Sequence, residues 1–231
     1  MANTFVIGDI HGAFKALKQC LLKSDFNYEE DMLICLGDVC DGWPQTKECI
    51  NELLYIKYLT MILGNHDYWT LEWMRTGIAD ATWKAQGGDA TLISYADNIP
   101  NDHYNFLQRA LPYYIINNTL FVHAGIDATK PINKQGLDTF LWTRALAYTA
   151  IDLHSKNIKT KITDFDEVYI GHTPVNASEP IQGGEVWLMD TGAGWSGVLS
   201  MMNIDTKEIF TSDHVDTLYP GITGRIKRNK R

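Results

Sequence analysis

Five short motifs rich in glycine, aspartate and histidine occur along the chain, and each of the first three directly follows an apolar, β-prone stretch. In chain order they are Gly-Asp-Ile-His-Gly at 8–12, Gly-Asp-Val-Cys-Asp at 37–41, Gly-Asn-His-Asp at 64–67, His-Ala-Gly at 123–125 and Gly-His-Thr at 171–173. Their glycines permit the tight turns and unusual backbone angles that such loops need. The fold of this chain must therefore bring several loops of similar chemistry together.

The first sixty residues alternate between strand and helix patterns. Residues 4–7, 32–36 and 59–63 are β-prone, and apolar residues recur at helical spacing within 14–22 and 50–56. This alternation predicts a layered α/β fold that begins with parallel strands. In such sheets ligands bind beyond the carboxyl ends of the strands, which is where the first three motifs stand.

Residues 68–111 have a different character, with helical patterns and several tryptophans, among them Trp69, Trp73 and Trp83. We interpret this segment as a small helical cap inserted beside the site. Its tryptophans either form the core of the cap or offer stacking surfaces to a substrate.

The second half of the chain returns to strands. Two strands at 113–116 and 119–122 are predicted to be joined by an Asn117-Asn118 hairpin turn. We expect a short helix at 137–144 and a strand at 167–170. The final predicted elements form an antiparallel meander that closes a second sheet, with strands at 185–189, 197–204 and 208–211.

Composition narrows the class of protein. With 231 residues, 45% of them hydrophobic, the chain can bury the core of one domain, which we assign to residues 1–220. The net charge of −8 argues against nucleic-acid binding. The basic tail at 221–231 is interpreted as a frayed, solvated terminus. The oligomeric state is left open.

Several features predict a cytoplasmic protein that does not enter a membrane. Residues 1–20 lack the pattern of a signal peptide, and no apolar run approaches the ~18 residues that cross a bilayer. The four cysteines show no Cys-x-x-Cys pairing, which argues against a zinc ribbon. A reducing compartment is then the expected location.

The motifs supply oxygen and nitrogen ligands for two adjacent divalent metals. Asp9 and His11, two residues apart in one turn, can bind the first metal, and Asp38 is the candidate bridging carboxylate because it can offset two dications at once. The remaining candidate ligands complete the second metal and are Asn65, His123 and His172. Mixed ligation of this kind suits manganese, iron or zinc better than calcium.

Two further motif residues are candidates for proton transfer. His66 directly follows a predicted metal ligand, so its ring would overhang the site without binding metal. Asp41 could orient this ring and favour its protonated form, which would make His66 the acid for a leaving oxygen.

The series of motifs resembles the phosphoprotein phosphatase family of calcineurin-like metallophosphoesterases, in particular the short bacterial and phage serine/threonine phosphatases and the related symmetrical diadenosine tetraphosphate hydrolases. The resemblance implies an αβ-sandwich of two packed mixed sheets flanked by helices, and direct attack by a metal-bridging hydroxide. It also implies the same roles for the metal ligands named above, and for His66 with Asp41 as the acid pair.

One position departs from the family pattern. The second motif of the family usually continues Asp-Arg-Gly, with an arginine that grips the substrate phosphate, whereas this chain has Gly42 after Asp41. Arg144 resembles a second phosphate-binding arginine of the family, and its planar fork suits a bidentate contact. Asn65 is also a candidate to contact substrate. Trp43 could offer a stacking face in place of the missing arginine.

Three hypotheses follow. The leading one is a phosphomonoesterase that acts on phosphoserine or phosphothreonine in proteins. The second is a hydrolase of dinucleoside polyphosphates or nucleotides. The third is a silent binding protein on the same fold, supported only by the missing arginine and opposed by the complete set of ligands.

Overall fold

The computed structural model describes residues 2–96 and 98–225. Within these residues the strands are β1 Thr4–Ile7, β2 Met32–Cys35, β3 Tyr58–Met61, β4 Tyr113–Ile116, β5 Thr119–Val122, β6 Glu167–Ile170, β7 Ile181–Gly183, β8 Val186–Leu188, β9 Ser200–Asn203 and β10 Ile209–Thr211. The helices are α1 Phe14–Lys23, α2 Thr46–Leu54, α3 Asn65–Thr76, α4 Ala81–Trp83, α5 Asp89–Tyr95, α6 Asn101–Gln108, α7 Leu137–Trp142, α8 Ala145–Ser155 and α9 Val215–Leu218. A π-helical turn lies at Lys84–Gly88 and a 3₁₀ turn at Ile132–Lys134.

The strands form two mixed sheets. In the first sheet the order is β10-β9-β1-β2-β3, with β1, β2 and β3 parallel and β9 antiparallel to β1. In the second the order is β4-β5-β6-β8-β7, with β5, β6 and β8 parallel. Two mixed sheets with helices packed on them confirm the predicted fold class.

Alternation of side chains along the strands produces the layers. Val6 of β1, Phe121 of β5 and Tyr169 of β6 meet in the core between the two sheets, where the rings of Phe121 and Tyr169 stack with centroids 5.1 Å apart. Their neighbours Phe5 and Ile7 point the other way, toward a core that includes the buried face of α1. The neighbours in β5 and β6 pack with residues of α8 in the same manner. Because side chains in a strand alternate between faces, each sheet separates two cores.

The predicted C-terminal meander is wrong. β8 lies in the second sheet between β6 and β7, whereas β9 and β10 complete the first sheet, with β9 beside β1. The alternation of apolar residues predicts that a segment is a strand, but it does not specify which sheet edge the strand joins.

The cap leaves and re-enters the first sheet at one place. Its helices α3 to α6 follow β3. At the return, the amide of Leu111 donates to the carbonyl of Met61, and the amide of Leu63 donates to the carbonyl of Leu111, each at 2.8 Å. The segment is helical, as predicted. The predicted helix at 137–144 ends at Trp142, and a second helix, α8, follows it. Among the described residues no helix is long and apolar enough to cross a membrane.

Candidate functional site

The predicted metal ligands lie at the carboxyl ends of five different strands. Asp9 and His11 follow β1, Asp38 follows β2, Asn65 follows β3, His123 follows β5 and His172 follows β6. All six side chains are buried. The structure therefore brings together residues that are up to 163 positions apart in the chain, as in the hydrogen bonds between His172 and Asp9.

One oxygen of Asp38 occupies the middle of the cluster. Its Oδ2 lies 3.4 Å from Nε2 of His123 and 3.7 Å from Nε2 of His11. The side chains form two sets whose ligand atoms lie within 4.8 Å of one another, and Asp38 belongs to both: His11, Asp38 and His66 in one, Asp38, His123 and His172 in the other. A carboxylate shared between two ligand sets has the placement that a metal bridge requires.

Asp9 and Asn65 border these two sets. Oδ2 of Asp9 lies 4.0 Å from Nε2 of His11, and Oδ1 of Asn65 lies 3.0 Å from Nε2 of His123. A Cβ at Gly171 would come within 2.1 Å of Oδ1 of Asp9, so the glycine before His172 lets the two loops approach.

The backbone at the site adopts a conformation that non-glycine residues seldom take. Positive φ angles occur at His11 (52°), Asp38 (51°), Asp41 (73°) and His172 (63°). Each such residue costs on the order of 1–3 kcal/mol and persists only where surrounding contacts impose it. The amide of His11, for example, donates to the carbonyl of Asp38 at 2.8 Å. The loops are thus held in a preorganised, strained arrangement.

Asp67, to which sequence analysis assigned no role, holds the second motif in place. Its Oδ2 accepts from the amides of Asp38 at 2.7 Å and Gly64 at 3.0 Å. Its Oδ1 accepts from the amides of Val39 at 2.9 Å and Cys40 at 3.2 Å. Burial raises the pKa of Asp67 to about 6. One fully buried carboxylate therefore fixes the loop that carries the central Asp38.

Replacing Asp67 by asparagine should destabilise the protein. An amide group turns a donor toward amides that need an acceptor, so we expect the free energy of unfolding to fall by about 2–4 kcal/mol. Urea denaturation at neutral pH measures this change. The exposed Asp138→Asn variant on α7 is the control and should stay within about 0.5 kcal/mol of the wild type. Equal stability of the two variants would contradict the anchoring role.

His66 and Asp41 form the predicted pair. Nδ1 of His66 lies 2.7 Å from Oδ2 of Asp41, so Nε2 is the ring nitrogen left for the site. Two cap residues complete the shell around Asp41: Trp83 donates through Nε1 to Oδ2, and Thr91 donates through Oγ1 to Oδ1, each at 2.7 Å. The cap therefore sets the position of Asp41, and through it the orientation of the His66 ring.

Burial dominates the protonation of this pair. It raises the pKa of Asp41 to about 8, against the hydrogen bonds from Thr91 and Trp83, and it lowers the pKa of His66 to about 3. At His66, desolvation of a positive ring outweighs the attraction of the Asp38 carboxylate. The protonated form of His66 in the reaction stays a prediction.

The pKa values of the candidate metal ligands shift in opposite directions. Burial by itself would raise the pKa of Asp38, but the positive charge of His123 holds it well below the usual value. Burial and the adjacent Asp190 raise the pKa of Asp9 well above its usual value. Burial is opposed at His123, where Asp38 raises the pKa to about 9.

The donor set fits a pair of divalent metals. It offers carboxylate, amide and imidazole atoms in two overlapping groups, and this mixture suits manganese, iron or zinc better than calcium. A ring nitrogen of His66 lies within 4.8 Å of ligand atoms of His11 and Asp38, although the sequence predicts that His66 does not bind metal. Its hydrogen bond to Asp41 is compatible with either role.

Comparison with known proteins decides the family. Residues 2–196 match the sequence profile described as Calcineurin-like phosphoesterase. The chain belongs to this family. It is a metallophosphoesterase, and the predicted resemblance is confirmed.

Relatives of this metallophosphoesterase carry two kinds of name. Serine/threonine-protein phosphatase 1 of Salmonella typhimurium is 27% identical over 212 residues, covering 87% of this chain and 92% of the relative. The symmetrical bis(5'-nucleosyl)-tetraphosphatase of Pseudomonas fluorescens is 23% identical, covering 90% and 93%. A solved protein serine/threonine phosphatase from Saccharomyces cerevisiae has a TM-score of 0.64 at 16% identity, with 96% of this chain and 82% of that chain covered, and shows the shared fold.

Arg144 of the metallophosphoesterase lies beside the second ligand set. Its Nη1 donates to the carbonyl of His172 and to Oγ1 of Thr173, both at 3.0 Å. The side chain is only partly buried. It therefore supports the last motif while standing at the border of the site.

The predicted stacking role of Trp43 is wrong. Its ring is 1% exposed, stacks on Tyr219 with centroids 5.0 Å apart, and donates through Nε1 to the carbonyl of Ala193. A residue so enclosed offers no face to substrate. Apolar packing against the C-terminal segment explains the tryptophan at this position.

Other tryptophans do border the site. The ring of Trp69 lies 5.1 Å from His66 and 4.9 Å from Trp142, and Trp142 lies 6.2 Å from His172. Trp142 is 38% exposed. Trp83, in contrast, is buried within the cap. Trp83 thus belongs to the core of the cap, whereas a stacking role for Trp69 stays a prediction.

The start of the basic tail is not frayed. Arg225 is partly buried, its amide donates to the carbonyl of Gly194 at 2.8 Å, and its Nη1 lies 3.2 Å from Nε2 of His11. The expectation of a solvated terminus is wrong at this residue, because Gly224 lies against the Trp43 ring and the amide of Ile222 donates to the carbonyl of Tyr219. Residues 226–231 lie outside the described part of the chain.

Asp190 and the two cap donors to Asp41 lie outside the five sequence motifs. Asp190 follows β8, is buried, and accepts from the amide of Gly192 at 2.9 Å. Its stretch, Asp-Thr-Gly after an apolar strand, repeats the pattern of the motifs and could have been recognised. Trp83 and Thr91 carry no such signal, because only the fold places the cap against the second motif.

Proposed function

We propose that this metallophosphoesterase hydrolyses phosphomonoesters with two divalent metal ions, manganese in the first place and iron or zinc as alternatives. Proteins carrying phosphoserine or phosphothreonine are the proposed substrates. The observation that carries the proposal is the position of Asp38 Oδ2 between the two ligand sets. The relative from Salmonella, named a serine/threonine-protein phosphatase and matched along most of both chains, supports the substrate class.

Each protein group has a part in the proposed reaction. Two bound cations would neutralise phosphate oxygens and lower the pKa of a water molecule. Asp38 would be a ligand of both metals. Asp9 and His11 would bind the first metal, and the second would be bound by Asn65, His123 and His172. Arg144 would contact the phosphoryl group, with Asn65 beside it.

The proton for the leaving oxygen is assigned to Nε2 of His66, while Asp41, whose pKa is raised to about 8, passes its own proton to Nδ1 of the ring. Asp41 holds its Nδ1, so Nε2 is directed to the reacting group. Trp83 and Thr91 in turn fix Asp41 and exclude water from it. A positioned general acid of this kind contributes roughly 10²–10⁴-fold to the rate.

A test of the function is hydrolysis of p-nitrophenyl phosphate by metal-stripped protein before and after addition of manganese, iron or zinc. We expect turnover that depends on added metal and is highest with manganese. Absence of turnover in protein shown to hold metal would contradict the proposal and favour a binding protein on the same fold. We place the reaction in the cytoplasm, since the four cysteines are buried free thiols, which a reducing compartment preserves.

Hydrolysis of dinucleoside polyphosphates is the second candidate function. The observation that favours it is the pair of tryptophans, Trp69 and Trp142, whose rings stand next to His66 and His172 and could stack on a base. The tetraphosphatase from Pseudomonas fluorescens supports it as a relative. Comparing kcat/KM for a phosphoserine peptide and for diadenosine tetraphosphate separates the two, and the larger value identifies the substrate class.

A further inference from the structure

The side chain of Arg225 extends from the C-terminal segment into the site, and its aliphatic stem lies against three glycines. A Cβ added to Gly42 would meet the Cγ of Arg225 at 3.1 Å, and one added to Gly87 would meet it at 3.2 Å. A Cβ on Gly194 would lie 3.2 Å from the Cδ. Any side chain at these positions would crowd the stem of the arginine. The space beside Gly42, where the chain lacks an arginine of its own, is thus filled by Arg225.

The segment that carries Arg225 is anchored before it reaches the site. The amide of Arg225 donates to the carbonyl of Gly194, and Gly224 lies so close to Trp43 that a Cβ there would come within 2.7 Å of the ring. The guanidinium carbon lies 4.5 Å from the centre of the Trp195 ring. Cation–π contact and the backbone bond restrict the side chain, so little freedom is left to lose when a ligand binds.

The guanidinium contacts three other side chains. They are the imidazole Nε2 of His11 at 3.2 Å, the amide oxygen of Gln86 at 3.5 Å and the indole ring of Trp195. None of these three contacts is a carboxylate, and the guanidinium faces the space next to the first ligand set.

A metal on Nε2 of His11 would take the nitrogen that Nη1 now contacts. The guanidinium would give up this one contact while its main-chain and Trp195 contacts remain available. Its five N–H groups form a planar fork that matches phosphate oxygens. Arg144 stands at the other ligand set, beside His172.

We propose that Arg225 binds the phosphoryl group of the substrate from the His11 side of the site, in the place of the arginine that Gly42 does not provide. The inference rests on the proposed function. The C-terminal segment would then determine specificity, because Arg225, 183 positions after Gly42 in the chain, completes the anion site.

The test compares manganese-loaded wild type with Arg225→Ala and Arg225→Lys. A charge-assisted hydrogen bond to phosphate is worth enough that Arg225→Ala should raise KM, and the dissociation constant of inorganic phosphate, by roughly 10–100-fold. Arg225→Lys should recover only part of this loss, because an ammonium lacks the fork. Metal content by mass spectrometry should stay the same in all three proteins.

A tail variant serves as the matched control for nonspecific charge. It replaces Lys227, Arg228, Lys230 and Arg231 by glutamine, retains Arg225, and should keep KM and phosphate affinity within about twofold of the wild type. Phosphate affinity is measured by titration calorimetry, so it is read without turnover. Absence of turnover in the wild type contradicts the proposed function, whereas unchanged phosphate affinity in Arg225→Ala overturns this inference alone. A gain in affinity or in kcat/KM on removing Arg225 would also overturn it, because the arginine would then be an obstruction.

Discussion

The Asp38→Asn variant is expected to lose both metal and activity. An amide cannot offset two dications as the carboxylate does, so metal content should fall. Turnover should drop by roughly 10³-fold or more, which corresponds to a rise of about 4 kcal/mol in the activation free energy. The central position of Oδ2, between His11 and His123, is the physical reason. Metal content by mass spectrometry and hydrolysis of p-nitrophenyl phosphate are the two measurements.

Asp31→Asn is the matched control for this variant. Asp31 is also buried, but it precedes β2 whereas Asp38 follows it, and it accepts from the amides of Asn3 and Asn27. We expect Asp31→Asn to lower stability while metal content and kcat remain those of the wild type. Full metal content in Asp38→Asn would refute the bridging assignment, whatever its activity.

The His66→Asn variant is expected to lose activity and keep its metal. Removal of the general acid should lower kcat by about 10²–10⁴-fold for an alkyl phosphate such as a phosphoserine peptide, whose leaving oxygen needs a proton. The loss should be smaller for p-nitrophenyl phosphate, because nitrophenolate is a good leaving group. This dependence on the leaving group distinguishes an acid from a residue that only maintains the structure.

His103→Asn controls for the loss of a buried histidine. Its ring lies in the cap, bonded to Tyr95 and Asn51, and has no role in the proposed reaction. It should leave the ratio of the two substrates unchanged. His66 groups with His11 and Asp38, with ligand atoms within 4.8 Å of one another, so it could also be a metal ligand. The metal content of His66→Asn therefore distinguishes a general acid from a metal ligand. Metal loss equal to that of Asp38→Asn would contradict the role assigned to His66.

Much of this architecture is predictable because its signals are local. The bounds of β1, β4, β5 and β6 agree with the sequence patterns, and the turn at Asn117 and Asn118 has positive φ at both residues, as hairpin turns of this kind require. The convergence of the first three motifs follows from one rule, that parallel strands of a sheet end at a common edge. The placement of the candidate ligands in these motifs could thus be predicted from the sequence.

The remaining features depend on contacts between distant segments. Nothing in the pattern of β9 specifies that it joins β1, and nothing near Trp83 or Thr91 indicates a hydrogen bond to Asp41. The position of Arg225 is of the same kind, because its partners are glycines and aromatic rings scattered over the chain. Tertiary packing, which sequence periodicity does not record, determines all of these.

The hydrogen bonds from Trp83 and Thr91 to Asp41 have a consequence for protein engineering. Exchanging the cap for that of a relative is an obvious way to redirect such an enzyme toward new phosphoesters. In this chain the exchanged piece would also carry the donors that orient Asp41. A graft that fits a new substrate but lacks an indole and a hydroxyl at these two places would recognise its target and turn it over slowly.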